Sequence, residues 1–276
     1  MSLLSVDNLS VSFPTPKGRM NVVDGVSFTL GQERLGIVGE SGSGKSMTGR
    51  AILRLIRPPG QVAGRMTFEG QDLGALSERQ MRQMRGAKIS MIMQDPRYSL
   101  NPVMTVGAQI AEALRTHERL PRQDLKARVH DMLEAVRIND PDRVARMYAH
   151  ELSGGMGQRV MIAMMLIPRP RLLIADEPTS ALDVSVQGDV LALINDLVGG
   201  DTINSDGMGL ILISHDLPLV ARYCDRILVM NSGRVVETCA AKDLHKATHP
   251  YTRGLLAAVP KMHETRAELP VMERTT

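Results

Sequence analysis

Leu35-Gly36-Ile37-Val38-Gly39-Glu40-Ser41-Gly42-Ser43-Gly44-Lys45-Ser46 is the stretch whose reading decides the fold. A short apolar strand runs into a turn rich in glycine, and Lys-Ser then opens a helix expected to reach about Ile56. From Gly39 the residues fit GxxxxGK[ST]. Glycines at 39, 42 and 44, with Ser41 between them, let backbone N–H groups turn toward an anion, and the helix adds its positive end. Lys45 offers a point charge to outer phosphates and Ser46 a hydroxyl to Mg²⁺. A strand before the motif and a helix after it are what this mechanism needs.

Working outward, the N-terminal stretch alternates. Leu9, Val11 and Phe13 share one face, as do Val26, Phe28 and Leu30, which predicts antiparallel strands buried on one side. Further strands are expected at about Gly64–Phe68 and Lys88–Met93. The region from Asp95 to Met147 is charged and helix-periodic, with Val106, Ile110, Ala113, Leu114 and then Val129, Met132, Leu133, Val136 at helical spacing. It reads as a helical insert. Beyond it, strand and helix alternate: helix Gly155–Leu166, strand Leu172–Ala175, helix Val184–Leu197, strand Leu210–Ile213, and a hairpin Arg226–Met230/Arg234–Glu237 turning at Asn231-Ser232-Gly233. Apolar strands alternating with helices imply an α/β core with a mostly parallel, doubly covered sheet. Gly199–Gly209 is polar and Gly-rich and reads as a solvated loop.

Composition narrows the function classes. The 276 residues are 43% apolar and 23% charged, enough for a large core. Net charge is only +3, aromatics are 3% and tryptophan is absent, so the basic, stacking surface of a nucleic-acid binder is not expected. The longest apolar run, Val160–Ile167, is far below the roughly 18–20 residues that span a bilayer. No charged-then-apolar leader opens the sequence, so no signal peptide is expected. Cys224 and Cys239 are not a CxxC pair and read as reduced thiols.

Two further stretches carry chemistry. Asp176 and Glu177 end an apolar strand, at the edge where ligands sit in open α/β sheets. Asp176 can hold Mg²⁺, and Glu177, pointing differently, can orient or deprotonate a water. Leu152-Ser153-Gly154-Gly155 precedes an apolar helix; Ser153 has the character of an N-cap and the glycines leave backbone N–H groups bare.

In order, GESGSGKS, Gln94 after an apolar strand, LSGGMGQR, LLIADEP, Ser180-Ala181-Leu182-Asp183 and Ser214-His215-Asp216 resemble the Walker A, Q-loop, signature, Walker B, D-loop and switch-histidine motifs of ABC ATPases. The resemblance implies ATP and Mg²⁺ as cofactors. It assigns Lys45 and Ser46 to phosphates and metal, Gln94 to metal or water, Asp176 to metal and Glu177 to the catalytic base. Ser153 and Gly155 would contact the γ-phosphate held by the opposite subunit, Asp183 would line the dimer contact, and His215 would contact the γ-phosphate. Phe13 resembles the aromatic that stacks on adenine, although its alternation with Leu9 and Val11 also fits a core-facing residue.

A narrower resemblance, to the peptide and nickel uptake branch, rests on Gln94-Asp95-Pro96-Arg97-Tyr98-Ser99-Leu100-Asn101-Pro102 and on His249-Pro250-Tyr251-Thr252-Arg253. The second segment is a branch marker under that resemblance, not a catalytic group. The cysteine cluster of some relatives is missing, so no iron–sulfur site follows. Gly157 departs from the family pattern, where a basic or polar residue is usual. It costs the helix about 1 kcal/mol against Ala.

The resemblance implies a P-loop ABC-ATPase fold with an N-terminal antiparallel β subdomain. Residues 1–94 and 155–237 would form the α/β core, 95–154 the helical insert with the signature, and 238–276 a C-terminal extension. Function would be ATP hydrolysis powering uptake of di- or oligopeptides, with nickel or opine-like solutes as the alternative. Partners would be a second identical or related ATPase, two membrane permease subunits docking around Gln94–Val106, and through them an extracytoplasmic solute-binding protein. The location would be peripheral, on the cytoplasmic face of the inner membrane. A DNA-repair cassette is disfavoured because only about a hundred residues, without heptads, separate P-loop and signature. A non-catalytic regulator is disfavoured by Glu177 and His215.

Overall fold

Leu4–Thr15 (β1) and Gly18–Leu30 (β2) form the antiparallel pair that the alternation predicts. Leu4 faces Leu30, Val6 faces Phe28, Leu9 faces Val26 and Val11 faces Val23, all of them buried. Burying one such side chain contributes roughly 1.5–3 kcal/mol. The register shifts between Val6 and Leu9 and again near Val11. Asn8, with φ 50°, takes up the first irregularity, so Leu9 and Val11 both stay inside. The exposed Pro16-Lys17 turn closes the hairpin, with Thr15 Oγ1 donating to Gly18 O at 2.9 Å.

The computed structural model describes residues 2–93, 99–180, 182–200 and 207–259. The chain divides into two compact units, Met1–Gly74 with Leu212–Thr276, and Ala75–Ile211. In the first, Arg34–Val38 (β3) leads into helix Lys45–Ile52 (α1), then Gln61–Phe68 (β4) and Gln71–Asp72 (β5). The antiparallel sheet has the order β2-β1-β4-β5. Helix α1 is shorter than the pattern suggests. Arg54 is left-handed at φ 52°, its N–H donates to Ala51 O and that of Leu55 to Arg50 O, at 2.8 and 2.9 Å. This paired C-terminal cap ends the helix despite Leu55 and Ile56 beyond it.

The second unit contains Glu78–Met84 (α2), Ile89–Ile92 (β6), Val106–Arg115 (α3), Arg122–Ala135 (α4), Pro141–Val144 (α5), Gly154–Leu166 (α6), Leu172–Asp176 (β7) and Val184–Gly199 (α7). Strands β6 and β7 run parallel, Ile89 beside Leu172 through Ile92 beside Ala175, and every residue of both is buried. Continuous apolar runs of this kind belong to strands covered on both faces. Helix α2 was not legible in the pattern; a capping box of Ser77 and Gln80 starts it. The helical stretch after Asp95 holds α3 to α5. Buried Gln109 fixes the approach to it, accepting from Asn101 N at 2.8 Å and donating to Asn101 O and Met104 O at 3.0 Å each. Met164 and Met165 are half-buried on α6.

Strand Gly209–Ser214 (β8), buried throughout, carries the chain back into the first unit. There follow Leu217–Tyr223 (α8), Arg226–Asn231 (β9), Arg234–Ala240 (β10) and Pro250–Ala258 (α9). Strand β9 runs parallel to β3, Leu35 beside Arg226 to Val38 beside Val229, and antiparallel to β10. The hairpin turn lies where the sequence places it. Ser232 and Gly233 have φ 48° and 82°, the pair of positive values a tight two-residue turn requires. No helix among the described residues is long and apolar enough to cross a membrane.

Candidate active site

In the first unit the loop from Gly39 to Gly44 joins β3 to α1 and is held by contacts only glycine permits. Gly39 has φ 154°, and a Cβ there would lie 2.1 Å from Met230 O. Gly44 has φ 101°, and its Cβ would lie 2.5 Å from Val22 O. A side chain at either place would push the loop off the β9 and β2 backbones. The β9–β10 turn clamps the same loop: Gly233 N donates to Ser43 O at 3.1 Å and Gly233 O accepts from Asp24 N at 2.8 Å. At Gly42 an added Cβ would meet nothing within 4 Å, so that flank is open to a ligand.

Helix α1 starts without a side-chain cap and without an acidic residue in its first turn. Its first N–H groups therefore present a positive end that suits a polyphosphate. Lys45 Nζ, in a nearly buried side chain, donates to Gly39 O at 2.7 Å and Glu40 O at 2.8 Å and lies 3.5 Å from Ser43 Oγ. Ser46 is half-buried one residue along. The charge, the amides and the glycine-walled cradle fit a phosphate chain, and the Ser46 hydroxyl fits a hard cation such as Mg²⁺. The loop has one more neighbour: Glu40 N donates to the hydroxyl of Tyr251 at 3.0 Å.

His215 follows β8 and is exposed. Its neighbours fix the backbone. Ser214 Oγ accepts from Asp216 N at 3.0 Å, and Asp216 Oδ1 caps α8 through Leu219 N at 3.0 Å. Phe13 stands opposite Met20 on β2 and is half-buried, unlike Leu9 and Val11, which are fully buried. Its ring edge is near Gly60, where an added Cβ would be 2.7 Å from Phe13 Cε1. One flank of the ring is thus held by backbone, and part of it remains open.

In the second unit, Asp176 ends β7 with only 3% exposure, and Glu177 is half-buried with φ 46°. The left-handed turn separates the directions of the two carboxylates. Ser180 secures it, its N–H and its hydroxyl both donating to Glu177 O at 3.2 Å. Asp183 is exposed at the N-cap position of α7, but its side chain makes no capping bond. Ser153 caps α6 as expected, accepting from Met156 N at 3.3 Å. Gly155 is near the start of α7, with 3.4 Å from an added Cβ to Val186 Cγ1. Ser153 and Gly155 edge a cleft of about 650 Å³ that also holds Arg137, Arg143, Arg159 and, opposing them, Asp140, Glu151 and Asp189. Three cations balance three acids there, so any preference for an anion comes from the α6 amides. Gln94 lies outside the described residues, as do residues 95–98, Ala181, residues 201–206 of the polar loop and residues 260–276.

Two residues with a place in this geometry escaped the sequence reading. Gln158 is buried on α6, and its Nε2 donates to Pro178 O, the carbonyl just after Glu177. The signal was there, a polar side chain at helical spacing with the buried Ile162 and Leu166. The sequence offers Tyr251 only as part of a branch marker, with no role in the phosphate site. At Gly157, an added Cβ would meet only Leu100 Cδ1, at 3.9 Å, so packing does not demand glycine.

A glycine-walled phosphate loop, an uncapped helix start, a serine-capped Gly-Gly helix and a buried strand-end aspartate, in this chain order, define an ATP-binding cassette. The family model described as ABC transporter matches residues 23–180, and the chain belongs to that family. Within it the chain is similar to peptide transporters' ATP-binding proteins. It is 46% identical over 269 residues to the oligopeptide transport ATP-binding protein OppD of Salmonella typhimurium, covering 97% of this chain and 79% of the relative. It is 48% identical over 272 residues to the dipeptide transport ATP-binding protein DppD of Haemophilus influenzae, covering 98% and 81%. Among solved structures, cbiO1 from Clostridium perfringens, part of the ABC transporter complex cbiONQ, superposes with a TM-score of 0.73 at 25% identity, covering 89% of this chain and 91% of that one. The dimeric bacterial ABC transporter cassette MJ0796 gives 0.75 at 24% identity, covering 86% and 98%, and supports the fold.

Proposed function

We propose that the chain is the ATP-hydrolysing subunit of an importer for di- or oligopeptides. The observation that carries this is the phosphate loop at Gly39–Ser46, built with the geometry that ATP needs, in a chain 46–48% identical along almost its whole length to peptide-transport ATP-binding proteins. The nickel and opine alternatives have no such support among these relatives.

Lys45 and the amides of α1 bind the phosphates; by the family resemblance Ser46 and Asp176 would each serve Mg²⁺, with Gln94 as a further metal or water contact. Bound Mg²⁺ supplies charge neutralisation on the transferring phosphoryl group. Glu177, set apart from Asp176 by its left-handed backbone, orients the attacking water and accepts its proton. His215 donates to the γ-phosphate oxygen. Ser153 and Gly155 offer the hydroxyl and bare amides of α6 to the γ-phosphate held by a partner subunit, and Asp183 faces that partner. Phe13 stacks on adenine with its open flank. Catalysis is positioning plus charge stabilisation.

The two ATPases are copies of this chain or this chain with a related one. They sit peripherally on the cytoplasmic face of the inner membrane, drive two permease subunits docked around Gln94–Val106, and depend on an extracytoplasmic binding protein to choose the solute. Uptake of radiolabelled dipeptide in a deletion strain tests the reading. Complementation by the wild type restores uptake, and Lys45→Ala does not. Restored nickel uptake with unchanged dipeptide uptake would sink the peptide assignment.

A further inference from the structure

The segment Thr248-His249-Pro250-Tyr251-Thr252 is docked by polar bonds at several points. Glu237 Oε1 on β10 accepts from Thr248 N at 2.7 Å, from Thr248 Oγ1 at 3.2 Å and from His249 N at 3.4 Å. Burial alone would raise the Glu237 carboxyl. The Thr252 hydroxyl beside it and the hydrogen bonds from Thr248 and His249 outweigh it and hold the group below its ordinary value. His249 Nδ1 accepts from Tyr251 N at 3.2 Å and caps α9. The first turn of α9 is thereby fixed, and it sets the Tyr251 hydroxyl 3.0 Å from Glu40 N.

That bond falls on a particular peptide unit. The N–H of the Gly39–Glu40 peptide goes to Tyr251, and the carbonyl of the same peptide, Gly39 O, accepts from Lys45 Nζ at 2.7 Å. A peptide unit is planar, so its amide and carbonyl turn together. Lys45 Nζ also reaches Glu40 O at 2.8 Å. The place of the ammonium therefore depends on a peptide whose other side is held by Tyr251. Packing of the half-buried ring needs no hydroxyl; the hydroxyl is used on the loop.

We infer that Tyr251 is a positioning residue for the phosphate loop: through the Gly39–Glu40 peptide it sets the Lys45 ammonium, and α9 thereby tunes affinity for ATP. The inference rests on the reading of this loop as the ATP phosphate site. The test uses the full chain with Tyr251→Phe, which keeps the ring and removes only the acceptor. Titration with a fluorescent ATP analogue and steady-state hydrolysis should show Kd and KM for nucleotide rising about three- to tenfold, or about 0.7–1.4 kcal/mol at 1.4 kcal/mol per decade. The kcat should stay within about twofold, because saturating nucleotide restores the loop. Deuterium uptake in the peptide containing Glu40 should rise. Glu237→Gln, which loosens α9 without touching the loop, should move KM in the same direction, and it carries the test if Tyr251→Phe fails to fold. Kd and KM within twofold of wild type in Tyr251→Phe, or in Glu237→Gln should that variant alone be folded, overturn the inference. So does a fall in kcat at unchanged KM. Lys45→Ala is the reference. If it binds nucleotide normally, the loop reading itself fails; if it loses binding while Tyr251→Phe does not, only the role of Tyr251 fails.

Discussion

Replacing Gln158 by leucine should separate catalysis from stability. The substitution removes the Nε2 donor to Pro178 O and leaves that carbonyl without it. A lost hydrogen bond costs about 0.5–1.5 kcal/mol, and a stranded buried carbonyl about 1–3 kcal/mol. Against this, Gln158 Oε1 is buried with no hydrogen-bond partner. Leucine removes that group, which offsets a similar amount, and fills a comparable volume. The net change in stability should be within about 1 kcal/mol, a shift of about 2–4 °C in Tm. Catalysis should respond more. Glu177 sits at φ 46°, a left-handed conformation that costs a non-glycine residue roughly 1–2 kcal/mol. The anchored Pro178 carbonyl is one of the restraints that keep it there. Without it Glu177 relaxes, and a displacement near 1 Å can cost about 10²-fold in rate. Phosphate release at saturating Mg·ATP from the assembled transporter should fall about 10- to 100-fold, with KM for ATP within about twofold. An unchanged kcat in a folded Gln158→Leu protein would refute the anchoring argument and leave Gln158 as packing.

Glu177→Gln should keep nucleotide binding, reduce hydrolysis at least about 100-fold and trap an ATP-bound dimer. Size-exclusion chromatography with the partner subunit supplied reads this directly, and a persistent monomer would count against a γ-phosphate gripped in trans. Gly157→Ala should stabilise α6 by about 0.5–1 kcal/mol, since there is room for the methyl group; a lower midpoint in urea unfolding would contradict it. The sign for Glu237 follows from its lowered folded-state pKa. Its stabilisation is present above the ordinary value of 4.5 and is lost as pH falls through the folded value. Thermal midpoints of Glu237→Gln and wild type should therefore differ at pH 7 and converge on acidification below 4.5. Burial, with Asp225 adding to it, pushes the Cys224 thiol up to about 12, so thiol reagents at pH 8 should modify Cys239 well before Cys224.

What the sequence makes legible here is what has a short-range cause. The glycine spacing at 39–44, the alternation in β1 and β2, the apolar runs of β6, β7 and β8, the Ser153 cap and the Asn231–Gly233 turn each depend on neighbours within a few residues. Helix α1 ends early because a left-handed Arg54 closes it, and arginine carries no composition signal for that conformation. The capping box at Ser77 and Gln80 could have announced α2, but too few apolar residues follow to show a period. The Tyr251 bond to Glu40 crosses 211 residues, and the Gln158 bond to Pro178 joins elements whose meeting is set by tertiary packing. Pattern alone has no access to such partners.

The turn at Ser232-Gly233 also guides where a probe can be attached. Tight hairpin turns are the usual choice for labels and short insertions. This one is bonded to Ser43 O on one side and to Asp24 N on the other, and Arg234 pairs with Asp24 at 2.6 Å. A dye or epitope there would pry at the phosphate loop and report its own disturbance. The Pro16-Lys17 turn is exposed, and an added Cβ at the adjoining Gly18 meets nothing within 4 Å. Single-molecule or crosslinking work on this protein should place its reporter there.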